Sequence, residues 1–171
     1  MNIVITEKNL SCDTQAFSAI AIDLLDAGRT LRFTAKGGSM DPLIRDGDTL
    51  FLAPADPSRI KFGDVVFFVN GGGKPLIHRV IKTQKRGKDR WLLIRGDRAN
   101  NVDGYFPPSE IFGRVIAVER VGQQIRADQP VYKFLGRLAA WRSRVFSASP
   151  RLFSLIYQLI KRIPSFKHYL S

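Results

Sequence analysis

The chain has 171 residues, with 27 Lys plus Arg against 15 Asp plus Glu, 44% hydrophobic residues and one Cys. This length fits one compact domain with a short appendage, and the ordinary apolar and charged fractions exclude wholesale disorder. Cys12 has no second cysteine to pair with, so neither a disulfide framework nor a thiolate metal cluster can form within one chain.

The formal charge of +12 is unevenly spread: from Lys133 onward there are basic residues (Lys133, Arg137, Arg142, Arg144, Arg151, Lys161, Arg162, Lys167) and no Asp or Glu. A one-signed patch of this kind attracts phosphates, on lipid or on nucleic acid, over about a Debye length. No stretch between charged residues approaches the roughly 20 apolar residues of a membrane-spanning helix. The first residues, Met1-Asn2-Ile3-Val4-Ile5-Thr6-Glu7-Lys8, have neither the basic start nor the long apolar run of a secretory signal. The expected location is therefore the cytoplasm or the periphery of a membrane.

Asp13 can cap a helix in which Phe17, Ile20, Ala21 and Leu24 recur at three and four, and Gly28 supplies its stop. The period then changes to short apolar runs at Leu31 to Ala35, Thr49 to Ala53, Asp64 to Val69, Leu76 to Thr83, Trp91 to Ile94 and Ile111 to Glu119. Turn chemistry separates them, at Asp46-Gly47, Asn70-Gly71-Gly72-Gly73, Arg86-Gly87-Lys88-Asp89 and Pro107-Pro108. The expectation is about six antiparallel strands. Gln129-Pro130 ends this pattern, and two helices follow, divided at Ser147-Ala148-Ser149-Pro150. In the second, Leu152, Leu155, Ile156, Leu159, Ile160 and Ile163 fall on one face. That face suits either packing on the β domain or an anionic lipid surface. The predicted class is mainly β (α+β), in three segments: a helical segment over 1–29, a β-rich core over 30–128 and a basic amphipathic helical tail over 129–171.

Three segments could carry chemistry. In Gly37-Gly38-Ser39-Met40-Asp41-Pro42 two glycines allow a tight bend that leaves Ser39 beside backbone N–H groups able to hold an oxyanion. The hexapeptide by itself is equally an ordinary turn. A serine attacks only when a base takes its proton, and the chain has two histidines. His168 lies in the terminal tail and reads as a solvated side chain. His78 lies in Leu76-Ile77-His78-Arg79-Val80-Ile81, where strand alternation puts it with Leu76 and Val80, and Arg79 with Ile77 and Ile81. It is either a satisfied core residue or a proton acceptor. Gly96-Asp97-Arg98-Ala99-Asn100-Asn101-Val102-Asp103-Gly104 offers two acids, either turn-forming or able to steady an imidazole.

In their order along the chain these pieces resemble the type I signal peptidases, particularly the archaeal and endoplasmic-reticulum form that uses Ser and His. The matching blocks are Gly38-Ser39-Met40-Asp41-Pro42-Leu43-Ile44-Arg45-Asp46-Gly47-Asp48, Gly63-Asp64-Val65-Val66-Phe67, Ile77-His78-Arg79-Val80-Ile81, Gly96-Asp97, Asn101-Val102-Asp103 and Ile111-Phe112-Gly113-Arg114-Val115. The resemblance spans roughly residues 36–120 and implies an antiparallel β-rich protease fold. It implies Ser39 as nucleophile, His78 as general base, Asp103 as the acid facing it and Asp97 as a supporting acid. Which acid faces the imidazole stays open, because Asp97-Arg98-Ala99-Asn100-Asn101 departs from the family's usual Asp-Asn-Asn. The Ser39 N–H and Gly38 would form the oxyanion hole, and Met40 and Pro42 would shape a shallow substrate groove. Asp48 and Asp64 read as structural turn residues.

The implied activity is a serine endopeptidase that cuts a leader or signal segment from a precursor after small side chains, with no metal or cofactor. Its partners would be that precursor and, through residues 133–168, an anionic membrane. Nucleic acid is disfavoured, because the tail's aromatics sit largely on the apolar helix face and give little sign of a base-stacking platform. Two alternatives remain: a self-cleaving repressor-type protease, which shares the Gly-Ser-Met turn but uses Lys where His78 stands, and a noncatalytic basic module that binds anionic lipid.

Overall fold

The computed structural model of the protein describes residues 14–145. The expected helix over 151–163, the Asp13 cap, Cys12 and His168 lie outside the described residues.

Helix α1, Thr14–Asp26, ends where Gly28 takes a positive φ of 75°. The Gly28 N–H bonds the Leu25 carbonyl and the Arg29 N–H bonds that of Leu24, which satisfies the last helical acceptors in a Schellman arrangement. Eight strands follow: β1 (Leu31–Thr34), β2 (Thr49–Pro54), β3 (Val65–Val69), β4 (Pro75–Arg86), β5 (Asp89–Arg95), β6 (Gly104–Phe106), β7 (Ile111–Arg120) and β8 (Gln123–Arg126), then helix α2 (Pro130–Val145). All the strand pairings are antiparallel. They make one sheet in the order β1-β2-β7-β3-β4-β5-β6, with β8 also on β7.

Six of these strands lie where the apolar runs predict them, and β6 and β8 are additional. Both are short: β6 is Gly-Tyr-Phe between turn residues, and β8, Gln-Gln-Ile-Arg, has no apolar alternation to announce it. β8 exists because Val121 and Gly122 form a two-residue turn with φ of 48° and 73°, the positive-φ pair that matches the twist of a tight hairpin.

Strand β3 is buried on both faces, so Val65-Val66-Phe67-Phe68 reads as an unbroken apolar run. Val65 and Phe67 face a core beneath α1 that includes Leu25, Leu50, Leu52, Val115 and Val118. Val66 and Phe68 face a second core with Val80, Leu92, Ile94 and Phe106. β4 lies against β3 with His78 opposite Val66 and Arg79 opposite Val65. Alternation therefore sends His78 and Arg79 to opposite sides of the sheet. Helix α2 starts at Pro130, packs along β4 and buries Tyr132, Leu135, Ala139 and Ala140. Pro130 both ends the β pattern and opens this helix, since a first helical position needs no N–H.

Candidate active site

The bend at Ser39 belongs to the long loop from Ala35 to Asp48, whose neck is closed by backbone bonds from Ala35 N–H to the Asp48 carbonyl and from Gly47 N–H to the Ala35 carbonyl. Inside the neck, Asp46 accepts from the Gly37 N–H at 2.7 Å. The buried Asp48 accepts from the Arg45 N–H and from the Arg120 guanidinium at 2.9 and 2.7 Å. These charge-assisted bonds hold a loop that has no secondary structure of its own. Asp48 and Asp64, whose carboxylate accepts the Lys61 N–H, thus act as loop fasteners.

Ser39 is exposed at the tip of this bend, while His78 is buried at the edge of the second core, its ring 6.4 Å from that of Phe68. Ser39 Oγ lies 2.9 Å from His78 Nε2, and Asp103 Oδ2 lies 2.8 Å from His78 Nδ1. A carboxylate only accepts, so Nδ1 carries the ring proton; Nε2 of the neutral ring is then the acceptor for the Ser39 hydroxyl proton. The three side chains form a continuous line from an exposed hydroxyl through a desolvated imidazole to a mostly buried acid. Asp103 is held in turn by its own N–H, which bonds the Ile94 carbonyl where β6 joins β5.

Asp97 has a different neighbour. Its carboxylate grips Arg79 in a two-pronged pair, Nε to Oδ1 at 2.7 Å and Nη2 to Oδ2 at 2.6 Å, while Arg79 Nη1 donates to the Gly63 carbonyl at 2.7 Å. Arg79 has 0% exposure. Burial opposes its charge most strongly, but the Asp97 carboxylate overcomes this and holds the guanidinium pKa above its ordinary value. The Tyr132 hydroxyl, buried beside the pair, is pushed up by that same desolvation. Asp97 thus anchors the loop that carries Gly96 and Arg98 to the Ser–His pair.

That loop is tied to the serine bend at several points. The Arg98 N–H bonds the Ser39 carbonyl at 2.8 Å, and the Arg98 guanidinium bonds Asp41 Oδ2 at 3.0 Å. Arg95 donates twice to the Ala99 carbonyl. Gly96 lies at the closest approach: a Cβ there would be 2.9 Å from the Ser39 carbonyl oxygen and 3.0 Å from His78 Nε2. Only glycine lets the two loops meet at this spacing.

The remaining expected residues divide. Gly38 is exposed beside Ser39, close to the Asp41 carboxylate, and Pro42 is half-buried after a cis peptide bond. Met40, which the resemblance assigns to the substrate groove, instead turns inward. At 4% exposure it packs with Ala35, Ile44 and Leu50, because an unbranched apolar side chain beneath an exposed polar bend gains more from burial than from solvent contact. Arg79, Gly96, Arg98 and Asp41 are parts of the site that the motifs did not single out. Arg79 carried a signal nonetheless, since a charge in an apolar strand demands a buried partner. Among the described residues no group of three or more His, Cys, Asp or Glu side chains could hold a metal ion.

Comparison with known proteins gives this geometry a setting. A model of the family described as Peptidase S24-like matches residues 6–116. Over 62 residues the chain is 45% identical to the signal peptidase complex catalytic subunit SEC11 of Clavispora lusitaniae, covering 35% of this chain and 36% of that one. It is 39% identical over 67 residues to the SEC11 subunit of Candida albicans, covering 39% of each chain. With the human subunit SEC11C it shares 43% identity over 68 residues, covering 39% of this chain and 35% of that one. The chain thus spans little more than a third of the length of the curated relatives it matches.

Proposed function

This chain belongs to the Peptidase S24-like family, and on that premise we propose that it is a serine endopeptidase that removes a leader or signal segment from a precursor protein. The observation that carries the reading is the pair of contacts at His78, 2.9 Å to the Ser39 hydroxyl and 2.8 Å to the Asp103 carboxylate. That spacing suits proton transfer without rearrangement.

In this reading Ser39 Oγ attacks the carbonyl carbon of the scissile peptide bond as His78 Nε2 takes the hydroxyl proton. The tetrahedral oxyanion is held by the Ser39 N–H at the glycine bend. Asp103 stabilises the imidazolium and keeps its orientation. Collapse of the intermediate breaks the C–N bond, and the leaving amine takes the proton from His78, which leaves an acyl ester on Ser39. His78 then deprotonates a water that attacks the ester, and the proton returns to Ser39 as the second product leaves. Asp97 serves this chemistry by anchoring Gly96 and Arg98 through its grip on Arg79.

The relatives named as signal peptidase complex catalytic subunits support a precursor as substrate. We infer an anionic membrane surface as a second partner, met by the basic stretch that begins at Lys133. Support comes from α2, where Phe134 and Trp141 are exposed one heptad apart, beside the exposed Lys133 and Arg137. No helix among the described residues is long and apolar enough to cross a membrane.

Coexpression with leader-bearing precursors, wild type against Ser39→Ala, tests the proposal by mapping new N-termini. Cleavage after small residues that disappears with Ser39→Ala is the expected result. Identical precursor patterns with the two proteins would reject it. The self-cleaving alternative is distinguished by the intact mass of the purified chain, which stays constant over time under the present proposal.

A further inference from the structure

We propose that α2 is a positioning element of the active site, seated through Gly136 on the Arg79–Asp97 pair so that docking of this helix sets the Ser39–His78 geometry. The inference rests on the proteolytic reading of that pair.

Arg79 follows His78 on β4, with its side chain on the opposite face of the sheet. Its guanidinium is enclosed by Asp97, by the Gly63 carbonyl and, from the outer side, by α2. The approach of the helix is very close: a Cβ on Gly136 would lie 2.8 Å from Arg79 Nη1 and 3.4 Å from the Gly63 oxygen. From the other side the fit is close but ordinary: a Cβ on Gly63 would lie 3.4 Å from Arg137 Cγ. Two glycines thus face each other across the helix–sheet junction where the ion pair is buried.

Excluding water is what makes this pair stiff. An ion pair in a low-dielectric interior interacts several times more strongly than one reached by solvent. With α2 seated, Asp97 is fixed at both oxygens, and Asp97 stands between Gly96 and Arg98. Gly96 approaches the Ser39 carbonyl and His78 Nε2, and Arg98 N–H bonds the same carbonyl. The path from helix to hydroxyl is therefore a series of direct contacts: Gly136 to Arg79, Arg79 to Asp97, and from there the backbone of Gly96 and Arg98 to Ser39. If α2 lifts, water reaches Arg79, the carboxylate gains freedom, and the loop wall behind the Ser–His contact slackens. Misplacement of about 1 Å can cost about a hundredfold in rate.

Gly136→Ala in the full chain is the deciding variant. Alanine is intrinsically better than glycine in a helix interior, but its methyl group would meet the buried Arg79 guanidinium, so a loss of stability alone reports only packing, and a merely structural role would leave turnover and the imidazole unchanged. The inference expects kcat for a leader-bearing precursor to fall about ten- to a hundredfold, with KM within about twofold. It also expects the His78 ring resonances, readily assigned in a chain with two histidines, to shift in NMR spectra of the free protein. Leu135→Ala, which thins the seat of α2 without adding an atom beside Arg79, should move both readouts the same way. Unchanged kcat together with unshifted His78 resonances in both variants overturns the inference. Absence of any Ser39-dependent cleavage by the wild type would instead reject the proteolytic reading, and the His78 resonances would still decide whether α2 positions the ring.

Discussion

Asp97 closes on Arg79 with both carboxylate oxygens, at 2.7 and 2.6 Å, on the side of the sheet away from the imidazole that Arg79 adjoins in sequence. The two acids of one loop are thereby given separate tasks: Asp103 meets His78, and Asp97 holds the loop that delivers it.

Asp97→Ala should destabilise the fold by about 3 to 5 kcal/mol, since it leaves the Arg79 charge buried without a counter-ion. Replacing both partners, Arg79→Met with Asp97→Leu, should recover much of that loss, because an apolar pair of similar volume avoids the desolvation penalty. Urea unfolding of the two variants measures this. A double variant no more stable than Asp97→Ala would contradict the account of the pair.

Gly96→Ala puts a methyl group 2.9 Å from the Ser39 carbonyl oxygen and 3.0 Å from His78 Nε2. Real Cβ atoms do not sit at such distances, so the serine bend or the imidazole must move. The expected outcome is a fall of about a hundredfold in kcat, with the sheet intact by circular dichroism. Wild-type turnover in this variant would show that the close approach has no catalytic consequence.

Val121 occupies a left-handed backbone conformation, φ 48°, at 98% exposure. A β-branched residue there is strained without compensating contacts. Val121→Asn keeps the tight turn between β7 and β8 with a residue suited to it. It should raise stability by about 1 kcal/mol and leave cleavage unchanged. A stability equal to or below wild type in thermal or urea unfolding would mean that the turn carries no strain.

Trp141 and Phe134 extend the prediction to membranes. With vesicles containing anionic lipid, Trp141 fluorescence should shift to the blue and gain intensity, while neutral vesicles should have little effect. Phe134→Ala should weaken binding several-fold, and salt should weaken it further by screening. Equal binding to neutral and anionic vesicles would contradict the role given to the basic residues.

Much of this architecture is legible in the residues, for identifiable reasons. The apolar run from Asp64 to Val69 reads as a strand and is one, and the turn chemistry at Asp46-Gly47 and Arg86-Gly87-Lys88-Asp89 separates its neighbours. Alternation along β4 separates His78 from Arg79, as it does in the fold. Three features depend on tertiary structure and escape a linear reading. β8 forms because a strained hairpin folds it onto β7, despite its polar composition. Two acids on one polar loop cannot be told apart until one of them is seen to meet Arg79 across the sheet. The charge of the C-terminal segment masks the fact that the first part of it docks: Tyr132, Leu135, Ala139 and Ala140 form a narrow buried stripe, while Lys133 and Arg137 are exposed. Met40 misleads for a related reason, since a motif gives its position but not the direction of its side chain.

The most direct test of the central claim is the rate of precursor cleavage by Ser39→Ala, His78→Ala and the double variant, compared with wild type. If the hydroxyl and the imidazole act as one unit, each single change should cost about 10⁴- to 10⁶-fold, and the double should lose little more than either alone. Wild-type cleavage by either single variant, or losses that multiply in the double, would contradict the account.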